Sequence, residues 1–213
     1  MTDVVVQDEA PEPEPETMDP AAGEVVAMAN STTMAQSQAA ESPFAPLSVN
    51  GAAVDLTHLH EFSFTFDTGK RQGVMCFVTF STHCFSDKYD PDRHPARVTV
   101  FDDRGVERCF DQERYDLSKG LRALLAGLPG TKVYQTPEAN FAIITTRSGR
   151  EYRVFFNVRK MEQKKRLRLY VESAYSPDSE RAIPAPVTAY QRVKFNLLCD
   201  TILDGKPAKF HGR

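Results

Sequence analysis

Two neighbouring segments alternate in polarity with a period of two, and that alternation fixes how each can lie in a fold. In residues 151–159, Tyr152, Val154, Phe156 and Val158 share one side of an extended chain; Arg153, Phe155, Asn157 and Arg159 share the other. In residues 166–175, Leu167, Leu169, Val171, Ser173 and Tyr175 alternate against Arg168, Tyr170, Glu172 and Ala174. The apolar sets must face a core, because a slip of one residue would bury arginines. A strand pair joined across Lys160–Lys165 is therefore expected. Its outer face would carry Arg153, Arg159, Arg168, Tyr170 and Glu172, with Phe155 among them.

The same periodicity extends to other segments. Glu61–Phe66 alternates as a half-buried strand does, and Asp67–Lys70 reads as a turn. Val74–Thr82 is apolar on both sides through Val78, which suits a central strand. Residues 86–95 read as a polar loop, and Arg97–Phe101 and Val106–Phe110 as a hairpin closed by Asp102–Gly105. Leu117, Leu121, Leu124, Leu125 and Leu128 recur at helical spacing, with Gly120 inside the run and Gly127, Pro129 and Gly130 at its end. Asp111 or Asp116 would cap that helix. Strands are expected at 132–134 and 140–146, and a last helix over 187–203. The pattern predicts an α+β fold, an antiparallel-rich sheet packed against one or two helices.

Charge divides the chain. Residues 1–50 hold nine Asp or Glu and no Lys or Arg, whereas residues 51–213 hold twenty acidic and all twenty-six basic residues. The run Pro11–Glu16 supports neither a helix nor a strand ladder. With few large apolar groups to offset the cost of ordering, residues 1–50 are expected to form a disordered acidic tail. Residues 51–213 would form a single compact domain, ordered from near Val54 to His60. Nine Lys or Arg against two Glu crowd the stretch Arg147–Arg168. A basic domain behind an acidic tail points to an anionic partner.

The expected outer face has a chemistry suited to such a partner. Guanidinium groups of Arg153, Arg159 and Arg168 fork onto phosphates. Phe155 and Tyr170 offer rings for unpaired bases to stack on. The leading expectation is binding of RNA or single-stranded nucleic acid. The competing expectation is a protein-interaction module that meets an acidic protein partner.

Catalysis is a third reading, with Glu172 as a base for a 2′-hydroxyl and His83 as the acid. Strand-borne Arg, Tyr and Glu over the C-terminal half resemble the compact metal-independent ribonuclease toxins. That resemblance implies RNA cleavage without a metal and, for a toxin, a neutralising partner. Cys84 beside His83 suggests a thiol nucleophile only where the strand has already ended, since adjacent strand residues point apart.

Other classes find little support. Cys76, Cys84, Cys109 and Cys199 show no paired metal-ligand spacing. His58 and His60 are two apart, and His94 sits in a loop with Asp87, Asp90 and Asp92 that lacks a calcium-loop pattern. There is no phosphate-binding glycine loop or dinucleotide fingerprint. No cofactor or metal is expected, nor a membrane span or secretion signal. A reducing cytoplasm fits the cysteine usage.

Overall fold

The computed structural model describes residues 34–35, 42–136, 141–147, 149–177 and 191–208. The expected acidic tail thus lies largely outside the described residues. Its last part does not: Phe44 meets Phe85 edge-on, with ring centroids 5.0 Å apart, and Leu47 packs against the core. Order in the described domain therefore begins before Val54.

In chain order the strands and helices start with β1 (Met34–Ala35) and a short ribbon of β2 (Ser48–Val49) and β3 (Ala52–Ala53). The long strands β4 (Phe62–Phe66) and β5 (Val74–Phe80) follow, then β6 (Ser86–Asp87), β7 (Thr99–Phe101) and β8 (Glu107–Phe110). Two helices, α1 (Gln112–Ser118) and α2 (Leu121–Ala126), lead into β9 (Lys132–Gln135), β10 (Phe141–Arg147), β11 (Arg150–Lys160) and β12 (Arg166–Tyr175). The described chain closes with β13 (Gln191–Lys194) and α3 (Phe195–Leu203).

This architecture overturns the expected α+β class. Of the described residues, 41% are strand and 19% helix, so the fold is mostly β, a curled mixed sheet with three short helices. The main sheet runs β1-β4-β5-β12-β11-β10-β9-β13, and a smaller one runs β6-β8-β7. Local chemistry explains the lost helix. The leucine run breaks at Lys119–Gly120, which ends α1 and begins α2 as separate short pieces. At the C-terminus, Gln191–Lys194 pairs with β9 instead of extending the helix, and α3 begins at Phe195. The expected start of that helix, at Val187, lies outside the described residues.

Alternation places the core. Phe62, Phe64 and Phe66 of β4, and Val74, Cys76, Val78 and Phe80 of β5, point inward with Leu167, Leu169 and Val171 of β12 and Tyr152, Val154 and Phe156 of β11. Leu121 and Leu125 of α2 and Leu198 and Cys199 of α3 join the same apolar cluster. Strand β5 is central, as its two-sided hydrophobicity suggests, and its partner β12 runs parallel to it. That pairing joins segments far apart in sequence.

The expected polar loop 86–95 is tied down by ion pairs. Asp87 accepts from Arg114 at 2.9 Å and pairs with Arg93 at 3.2 Å. Asp111 caps α1 through Arg114 N at 2.8 Å and also pairs with Arg93 at 2.7 Å and His94 at 3.2 Å. These carboxylates pair with the buried Arg114 and the half-buried Arg93. Among the described residues, no group of three or more His, Cys, Asp or Glu is arranged to hold a metal ion, and no helix is long and apolar enough to cross a membrane.

Removing one partner of a buried pair leaves the other charge uncompensated, at about 3–5 kcal/mol. Asp87→Asn is expected to lower the free energy of unfolding by an amount in that range, read as a lower urea midpoint at an unchanged m-value. Asp116→Asn, in the exposed pair with Lys119, should leave the midpoint close to the parent's.

Candidate functional site

Strands β11 and β12 keep register from Lys160↔Leu167 to Phe156↔Val171, then resume at Phe155↔Ser173. Glu172 has no opposite number. It is the extra residue of a β-bulge, a feature that bends a strand and re-aims a side chain. Its carbonyl oxygen accepts a hydrogen bond from Ser81 Oγ at 2.8 Å, and Ser81 Oγ in turn accepts from His83 N at 2.9 Å. One hydroxyl thus ties the bulge to the 3-10 turn Thr82–Cys84 that follows β5.

Beyond the bulge the faces of β12 exchange. Ala174 turns into the core, and Tyr175 joins the outer face, where Phe155 stacks on it at 5.8 Å. Arg114 of α1 lies over the Tyr175 ring at 5.1 Å, and Arg150 pairs with Glu113 of α1. Helix α1 therefore roofs this end of the outer face.

Arg153 sits under that roof. It is 2% exposed, and its Nε bonds Glu151. Arg153, expected on the open face, is instead buried there, opposite Tyr175, over whose ring Arg114 of α1 lies. Phe155 is half-buried in the same layer, its ring engaged with Tyr175 and not open to a base.

Among the described residues, no helix lies over the other end. Across four strands, Ser63, Phe77, Arg168 and Arg159 form one cross-strand row. The next row holds Thr79, Tyr170 and Asn157. Arg159 and Arg168 are exposed, and Tyr170 is half-buried. Arg166 lies with its guanidinium 5.7 Å from the Phe77 ring. With Arg104 from the β7–β8 hairpin, Thr79, Arg159, Arg168 and Tyr170 line a groove of about 490 Å³.

That groove meets a second cavity of about 290 Å³ at Arg104, Tyr170 and Glu172. His83 and Glu172 both line this second space, with Asp102, Asp103, Ser81 and Thr82. His83 Nε2 lies 3.3 Å from Asp102 Oδ2. Tyr170 donates to Asp103 Oδ2 at 2.6 Å, and Asn157 Nδ2 donates to Glu172. Burial, helped by Arg108, holds the His83 imidazole below its ordinary 6.5, while Asp102 acts the other way. Backbone amides of Val106 and Arg104, with His83, hold Asp102 below the usual carboxylate range. Burial and then Asp103 push the Tyr170 phenol well up.

A thiol nucleophile is not built here. Cys84 is fully buried and its thiol is pushed up to about 12 by that burial. His58 bonds Ser118 Oγ at 2.7 Å and His94 bonds Asp111, so both serve the fold. Phe77 and Arg166 are face residues that sequence reasoning missed. Reading β5 as apolar on both sides hid the outward position of the half-buried Phe77, and the alternating sets read from Leu167 onward left out Arg166.

Residues 46–203 match the model of the YjaZ family. Protein YjaZ of Escherichia coli (strain K12) is 31% identical over 126 residues, which are 57% of this chain and 69% of that protein. Neither description names a ligand or a reaction. No solved structure matches.

Asp102 favours the protonated imidazole, so Asp102→Asn should move the His83 titration, already below 6.5, further down. An NMR pH titration of the His83 ring protons checks this; an unchanged or raised midpoint would show that the two side chains do not meet. The imidazole binds its proton less tightly folded than unfolded. Its contribution to stability is therefore full above 6.5 and is lost as pH falls through the folded value.

Proposed function

The chain belongs to the YjaZ family, and from the open sheet face of its fold we propose that it binds single-stranded nucleic acid, RNA foremost. The observation that carries this reading is the row Phe77–Arg168–Arg159 beside the row Thr79–Tyr170–Asn157. It sets aromatic rings on the central strands and guanidinium groups next to them. An unpaired strand needs that combination: rings on which bases stack and cations that follow phosphates. Arg104 adds a third guanidinium from above the sheet. Arg166 rests near the Phe77 ring as a cation–π partner, and a base would take that place.

The binding set thus becomes Arg104, Arg159, Arg168, Phe77 and Tyr170, with Arg153 and Phe155 serving the covered end. Duplex nucleic acid fits less well, since no described helix or ribbon presents a basic edge to a groove. A reducing cytoplasm suits this ligand and the four unbridged cysteines.

Fluorescence polarisation with a labelled single-stranded RNA tests the proposal. Each phosphate contact adds about 0.7 to the slope of log affinity against log salt. Arg168→Ala and Arg159→Ala are each expected to reduce the slope by about that amount. Phe77→Ala should weaken binding by about 1–3 kcal/mol at every salt concentration, because stacking is not ionic. Arg153→Ala should leave the slope unchanged. No RNA binding at low salt, or competition by polyglutamate with none by RNA, would replace this reading with an acidic protein partner.

A further inference from the structure

The groove and the cavity beside it differ in chemistry although they share Arg104, Tyr170 and Glu172. The groove offers guanidinium donors. The cavity offers acceptors, with carboxylates of Asp102, Asp103 and Glu172 on its walls. Each carboxylate already takes a hydrogen bond inside the fold, from backbone amides, Tyr170 and Asn157 respectively. A carboxylate has about four acceptor positions, so further donors are still accommodated.

A separate observation points to an occupant. Thr82, which lines the cavity, is 6% exposed, and its Oγ1 has no hydrogen-bond partner among the described residues. A buried hydroxyl without a partner carries a penalty of roughly 1–3 kcal/mol, which a ligand group would relieve. The sheet's own geometry holds the site open. The bulge aims Glu172 there, and Ser81 pins the bulge to the turn that carries Thr82 and His83.

We propose that this cavity receives the amino-bearing edge of one base of the bound strand and reads cytosine over uracil. The inference rests on the nucleic-acid reading above. The strand's phosphates lie on Arg159 and Arg168, and the adjoining base enters beside Tyr170. Cytosine presents N4–H₂ as a donor to a carboxylate, and its N3 accepts from the Thr82 hydroxyl. Uracil has the same ring but presents O4 to the carboxylates and N3–H in place of an acceptor. Its O4 lone pairs then face those of the acids, whereas the Thr82 hydroxyl, which donates or accepts, bonds either base at N3. A site built on hydrogen bonds rejects an analogue with the wrong donor pattern more strongly than an apolar pocket does.

The full chain is titrated with fluorescein-labelled cytidine and uridine decamers at the same salt concentration. The cytidine decamer is expected to bind about tenfold more tightly or better. Glu172→Gln should bring the ratio of the two affinities towards one, whereas Thr82→Val should weaken both decamers and leave the ratio near the parent's. Any misfolded fraction cancels in that ratio, because both RNAs meet the same preparation. Equal affinities for the parent, with the salt slope still dependent on Arg168, would overturn base reading and leave the binding face intact. Failure of both decamers to bind would overturn this inference together with the reading beneath it. An undiminished ratio in Glu172→Gln would place the discrimination outside this cavity and also overturn it.

Discussion

The Ser81 hydroxyl holds together the two parts of the molecule on which the site depends. It donates to the Glu172 carbonyl and accepts from the His83 amide. A bulge residue in the middle of a sheet lacks its ladder partner, and a buried carbonyl left unpaired is costly. Ser81 satisfies that carbonyl at the point where β5 ends and the chain turns away. The extra residue in β12 can therefore persist in a central strand, and the turn bearing Thr82, His83 and the buried Cys84 is fixed against it.

From this junction the outer face takes two characters. On one side, the exchange of faces after Glu172 brings Tyr175 out to meet Phe155 and Arg114, and α1 closes over Arg153. On the other side, the uninterrupted alternation of β5, β12 and β11 leaves Phe77, Arg168 and Arg159 in a row without a described helix above them. The covered half is locked by buried ion pairs among Asp87, Arg93, Asp111 and Arg114. Such pairs tolerate little rearrangement, because separating them exposes unpaired charge to a low-dielectric interior. A rigid roof on one half and an open groove on the other is a suitable arrangement for a binding surface.

The small sheet contributes through its hairpin. Asp102 accepts from the amides of Arg104 and Val106, which shapes the tight turn after β7. Asp103 then takes the Tyr170 hydroxyl, and Asp102 meets His83. The hairpin thus supplies both the acceptor wall of the cavity and the Arg104 shared with the groove. The cations of the groove and the anions of the cavity end up side by side because the hairpin crosses the boundary between the two spaces.

Alternation in residues 154–159 and 166–171 was enough to determine which side chains enter the apolar core; the outward set Arg159, Arg168 and Tyr170 follows from it. Strands β4 and β5 were legible for the same reason. The helical content was overestimated because leucine spacing reports a buried face and not the length over which a helix persists, and Gly120 and the pairing of Gln191–Lys194 cut two helices short. The parallel partnership of β5 and β12, the bulge at Glu172 and the burial of Arg153 were decided only by tertiary structure. Each depends on a group distant in the chain, such as the Ser81 hydroxyl or the roof of α1, and a local pattern of residue types carries no information about which distant element will cover it.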